Sequence, residues 1–178
     1  AAAGRNLREL AAFLSNLFKE SFKTILVAIE PEPGCLSDTA EEMIDFFDGE
    51  LSGEVDRSYI TVCHDICHSA VMNEPQRDAI KNYSKARLTI GKVQVSNAIV
   101  ADWRKITAEQ RRETLEQLSG FAEDRYLHQT GQVYRGGDFR LAEDLPGLIA
   151  ETTPADLADL ERWVIHFHVP ILLEQFGH

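Results

Sequence analysis

The chain has 178 residues, enough for one domain with a sizeable core, and carries 29 acidic against 18 basic residues, a formal charge of -11. That balance disfavours phosphate backbones and anionic membrane surfaces as partners, and no apolar run approaches the roughly 20 residues that span a bilayer. Three cysteines, Cys35, Cys63 and Cys67, form no disulfide framework and suit a reducing compartment, so the expected location is cytoplasmic.

Ala1 opens the sequence, a helical pattern is running by Arg5, and the last residues follow closely on a strand-like segment. The sequence therefore reads as a piece of a longer protein. Leu7, Leu10, Leu14 and Leu17 recur at helical spacing and predict an amphipathic helix over 5–22. TILVAIE, residues 24–30, is a nearly continuous apolar run, the pattern of a strand covered on both faces. Asp38 with Glu41 has capping-box spacing before a short helix that buries Ile44 and Phe47. A loop over 49–57 leads to a second strand ending at Asp65. Pro75 suits the first turn of a helix through about Tyr83, and IGKVQVS, 90–96, reads as a third strand. Thr107 with Gln110 opens a helix that closes at Gly120. A glycine-containing loop and a short helical piece at 144–150 precede the final strand, WVIHFHVPI. Strand and helix alternating about every 30 residues predict a parallel α/β fold, with four units amounting to half of a (β/α)8 barrel.

Alternate residues of a strand face opposite sides, and this parity sorts the polar groups. One side of each strand is apolar and suits a helical shell. The other carries Glu30 on the first strand, Asp65 on the second, Gln94 and Ser96 on the third, and His166 and His168 on the last. Most stand at C-terminal strand ends, where barrel enzymes place their sites. His68 has the wrong parity to join Asp65 unless the strand ends there and the chain turns. Burying such groups together without partners is costly, and a divalent cation satisfies carboxylate and imidazole ligands together. The residues expected to hold it are Glu30, Asp65, His68 and His128, with Zn, Mn, Mg or Co as candidate ions.

Plainer readings stand beside these. The cysteines read as buried small hydrophobes or, for Cys63 and Cys67 with His68, as part of a structural zinc site. His64 points to the shell side and suits a hydrogen-bonded packing role. Glu32, between two prolines, is either solvated or in reach of a substrate. His128, in RYLHQTG, is either an ordinary lid residue or reaches over the mouth to ion or substrate.

Five motifs in order, IEPEPGC, CHDICHSAV, GKVQVSNA, RYLHQ and WVIHFHVPI, resemble the C-terminal half of the metabolite-traffic protein EboE family, within the xylose-isomerase-like barrel superfamily. The resemblance implies four further strands upstream and metal binding by Glu30, Asp65 and His68. It also implies a link to export or trafficking of secondary-metabolite precursors, with partner proteins of such a system. The chain departs from the superfamily in offering Gln94, Ser96 and Asn97 on the seventh strand and His166 and His168 in place of an eighth-strand carboxylate.

Three functions are expected to compete. The first is a metal-dependent isomerase or epimerase acting on a small polar metabolite, with Glu30 as ligand or base and His166 or His168 as the opposing acid. Glu32, Gln94, Ser96 and His128 would contact its substrate. The second is a non-catalytic metabolite-binding protein with the same pocket. The third, an endonuclease-IV-like phosphodiesterase, is disfavoured by the charge.

Overall fold

The structure, a computed structural model, describes residues 2–121, 126–169 and 172, with nothing described of the side chains of residues 168 and 169. The first helix, α1 (Ala2–Ser21), buries Gly4, Ala11 and Leu14 along one stripe. After β1 (Val27–Ile29) come α2 (Ala40–Glu50) and α3 (Glu54–Tyr59), the latter where the sequence reads as loop. The cap of α2 is Thr39, whose hydroxyl accepts from Glu42 N. The helix start thus sits one residue later than the Asp38 and Glu41 spacing suggests, and Glu42 Oε2 accepts from Asp38 N, the residue before the cap. Then follow β2 (Ile60–Asp65), α4 (Ile66–Val71), α5 (Gln76–Lys85) and β3 (Ile90–Gln94).

β2 lies at the centre of a three-stranded parallel sheet, between β1 and β3. All six of its residues are buried, as expected of a strand covered on both faces. Met43 and Phe47 of α2, Ala79 and Tyr83 of α5, and Ile60 and Val62 of β2 form the first core. β1 and β3 are edges, and Ile25, Val93 and Val95 are largely exposed. The helical shell expected over the apolar side of these strands is therefore incomplete.

Beyond β3 the parallel pattern stops. β4 (Asn97–Asp102), α6 (Arg111–Ser119), β5 (Thr130–Tyr134), β6 (Phe139–Ala142), α7 (Leu145–Glu151) and β7 (Leu160–Val169) follow. The four strands form a second sheet in the order β4-β7-β5-β6, antiparallel throughout. The final strand, expected to be a parallel barrel strand, instead pairs antiparallel with both β4 and β5. The glycine loop is the turn of the β5–β6 hairpin, with Gly136 and Gly137 at φ 101° and 97°, a region that costs glycine little.

The reason lies in what α6 covers. A helix after β3 in a barrel would pack on the parallel sheet, but Leu115 and Leu118 of α6 join Ile99, Trp103, Leu145, Leu157, Trp163 and Ile165 in a separate core. Trp103 and Trp163 meet edge-to-face, centroids 5.0 Å apart. Trp163 is fully buried, so Trp163→Ala should cost about 3 to 5 kcal/mol, read as a drop in the urea midpoint. The two sheets are joined where Cys67 and Val71 of α4 pack against Val164 of β7.

Candidate functional site

Asp65 ends β2 and caps α4. Its Oδ1 accepts from Cys67 N at 2.7 Å and His68 N at 3.1 Å, satisfying two of the donors that a helix start leaves open. Strand therefore becomes helix at Asp65, and within one turn His68 comes round to the side that its strand parity denied it. Both residues are buried.

Gln94 ends β3 and pairs with Asp65 directly, while Glu30 follows β1 one residue past the Ile29–Val62 pair, at the same end of the sheet. Gln94 Nε2 donates to Glu30 Oε1 at 2.5 Å and to Asp65 Oδ2 at 2.9 Å. Lys92 Nζ donates to Gln94 Oε1 at 2.7 Å. The amide thus bridges two carboxylates that would otherwise repel. His68 Nδ1 lies 3.3 Å from Glu30 Oε1 and 3.0 Å from the carbonyl oxygen of Pro31. Glu30, Asp65 and His68 each present a ligand atom within 4.8 Å of the others'.

The second sheet supplies His166. Its Nε2 is 3.2 Å from His68 Nε2, and the rings are nearly perpendicular at 85°. Its Nδ1 is 2.7 Å from Gln129 Oε1, and Gln129 Nε2 donates to the Pro33 carbonyl at 3.2 Å. The Pro-Glu-Pro loop after β1 therefore supports both histidines through main-chain oxygens. Sequence reasoning misses Gln129, although it closes the RYLHQ motif. Pro31 and Pro33 act through backbone atoms that side-chain reasoning does not see.

The remaining expected site residues stand apart from this group. His128 is buried beside it, its ring stacked on Phe167 at 4.7 Å and its Nδ1 3.1 Å from the His166 carbonyl oxygen. It lies outside the Glu30, Asp65 and His68 group and packs behind His166. Ser96 lies against the Cys67 thiol. Glu32 is exposed, with its carboxylate near Cys35. The side chain of His168 lies outside the described residues. His64 takes the packing role, bonded to Gln76 at 2.7 Å and edge-on to Tyr83.

Burial pushes the Cys63 and Cys67 thiols up to about 11, with the nearby Glu30 adding to the shift at Cys63. With no metal bound, both stay protonated at neutral pH. Iodoacetamide at pH 8 should modify Cys35, the exposed thiol, and leave Cys63 and Cys67 intact until the protein is unfolded. Mass spectrometry of the alkylated chain checks this.

Two carboxylates and an imidazole form a donor set that a divalent cation fits, and the Pro31 carbonyl behind His68 is the kind of outer partner that orients a ligating imidazole. The enclosed space beside Asp65, His68, His64 and Glu74 is only about 10 Å³, room for a water but not for a sugar. A metabolite would have to approach from the other side, where Glu30, Gln94 and His166 are partly exposed.

Fold and site together define an α/β protein with a mixed carboxylate and imidazole cluster at the C-terminal ends of a short parallel sheet. No family model, no curated protein and no solved structure matches the chain. Among the described residues, no helix is long and apolar enough to cross a membrane.

Proposed function

We propose that this chain is the metal-binding part of an isomerase- or epimerase-like protein acting on a small polar metabolite. The observation that carries the reading is the meeting of Glu30, Asp65 and His68 at the C-terminal ends of parallel strands. On this reading the parallel unit corresponds to late strands of a xylose-isomerase-like barrel, and the antiparallel sheet brings His166 in from the side where an eighth strand would stand. The resemblance to the EboE family supports the choice of substrate class and of a setting in secondary-metabolite precursor traffic.

A divalent ion, when bound, would polarise hydroxyl or carbonyl oxygens of the metabolite. Glu30 would accept a proton at its carboxylate, which is partly exposed, and His166 would hold one at Nε2 on the opposite side. Gln94 would fix a substrate oxygen through its amide. His168 shares the strand parity of His166 and is proposed as its companion.

The test is divalent metal content. The full-length protein should copurify with, or bind stoichiometrically, one divalent ion, and Glu30→Ala, Asp65→Ala and His68→Ala should each lose it. Unchanged metal content in all three would overturn the reading. A second reading, a binding protein without turnover, is favoured by the neutral Gln94 amide between the carboxylates, where an acid–base pair would need a titratable group. Binding without conversion across a panel of keto and hydroxy metabolites would select it.

A further inference from the structure

We propose that a bulge at Gly91 turns Lys92 onto the open side of the carboxylate cluster, where its ammonium binds a carboxylate of the metabolite, making hydroxy or keto acids the substrate class. The inference rests on the reading that a divalent ion occupies the cluster, and deepens it by naming a residue that selects the substrate.

Strand register places the lysine. Val62 pairs with Ile90 and Cys63 with Lys92, so β3 takes two steps against one of β2 and Gly91 is the extra residue. Ile90 packs on the first core, and in a regular strand Lys92, two residues on, would face the same way. The bulge reverses this, as bulges beside functional sites do. Lys92 and Gln94 therefore share the face of Cys63 and Asp65. Only glycine fits the extra position, because a Cβ there would overlap Thr61 Oγ1, which is itself bonded to the Val27 carbonyl at 3.2 Å.

Lys92 Nζ donates to Gln94 Oε1 at 2.7 Å, while the nitrogen of the same amide serves Glu30 and Asp65. The ammonium thus stands one amide away from both acids. It has three donors, the residue is exposed, and among the described residues it forms no ion pair. The Cys63 thiol feels both Lys92 and Glu30, which keeps the lysine close to the cluster. It stands on the side where Glu30, Gln94 and His166 are partly exposed, the side left open to a metabolite.

Charge balance gives the class of ligand. Glu30 and Asp65 offset a divalent ion, and Lys92 is then left as a positive charge without a counterion. A group with one negative charge completes the set. Phosphate is commonly held by the open N–H groups of a helix start, but the start of α4 is already closed by Asp65 Oδ1.

The experiment titrates the full-length protein, loaded with Zn²⁺, with glycerate, glycerol 3-phosphate and glycerol in a calorimeter. Glycerate should bind most tightly of the three. Lys92→Met should weaken glycerate by about tenfold, the worth of one hydrogen bond between charged groups, while leaving glycerol binding and Zn²⁺ content unchanged. Lys92→Arg keeps the charge and should hold glycerate affinity within about threefold of wild type. Added salt should weaken glycerate in the wild type and much less in Lys92→Met.

Glycerate affinity unmoved by Lys92→Met would overturn the inference and leave the lysine a solvated residue of an edge strand. Loss of Zn²⁺ in Lys92→Met would also overturn it, since the lysine would then act only by holding Gln94. A preference for glycerol 3-phosphate would overturn the carboxylate class. A wild-type protein that takes up no Zn²⁺ yet binds glycerate through Lys92 would overturn the metal reading alone, and Zn²⁺-loaded wild type that ignores glycerate would overturn this inference alone.

Discussion

Asp65→Asn should remove tight divalent-metal binding at a smaller cost in stability than Asp65→Ala, which loses the helix cap as well. The separation follows from the two jobs of one carboxylate. Oδ1 caps α4 through Cys67 N and His68 N, and asparagine caps a helix about as well as aspartate. The amide oxygen of the asparagine can take the place of Oδ1, but its NH2 then meets the Gln94 Nε2 that donated to Oδ2, so a loss of about 1 to 3 kcal/mol is expected. Alanine leaves both helix donors open, at about 1 to 2 kcal/mol, and strands the Gln94 amide that donates to Oδ2, at about 1 to 3 kcal/mol. Part of this is returned because Glu30 loses an anionic neighbour, so a net cost of about 2 to 4 kcal/mol is expected. Either variant removes an anionic ligand, and metal affinity should fall by more than the roughly 10- to 100-fold that outer partners are worth. Urea unfolding and metal titration on the same samples check both halves. Metal binding retained by Asp65→Asn would remove Asp65 from the ligand set.

Gly131→Ala should destabilise the chain by at least about 3 kcal/mol, a large effect for one methyl group. Gly131 sits in β5 opposite Val164 of β7 and Leu141 of β6. A Cβ built there would overlap the Val71 carbonyl oxygen at the end of α4, and would also come within 3.0 Å of Phe139 Cε2. A flexible side chain could move aside, but the carbonyl is fixed by the last turn of α4 and cannot yield without parting α4 from the second sheet. That junction also sets the distance between His68, on α4, and His166, on β7. The variant should therefore unfold more easily and, in its folded fraction, hold a metal ion less tightly. A urea midpoint within the shift expected of about 1 kcal/mol would show that the junction can open at little cost.

Much of the local structure was legible because it depends on neighbours in sequence. The apolar run into Asp65 is a buried strand, Asp144 caps the helix that follows it, and Gly120 follows the last turn of α6. The polar set Glu30, Asp65 and Gln94 was legible from parity, since a parallel register brings the C-terminal ends of adjacent strands to the same end of the sheet. What misled was periodicity alone. Strand and helix alternate through the second half of the chain as through the first, but GKVQVSNAIV hides a break between β3 and β4, and nothing in its composition distinguishes a crossover into a parallel strand from a step into another sheet.

The residue types and their spacing were enough to determine that a carboxylate and imidazole cluster would form at the end of β2, because alternation within a strand and an aspartate cap act over a few residues. Only the tertiary structure decided that His166 would reach His68 from an antiparallel sheet, that Gln129 would orient it, and that His128 would stack behind it. Those relations depend on which sheet α6 covers and on how closely Gly131 lets β5 approach α4, contacts between segments far apart in the chain that no local pattern encodes.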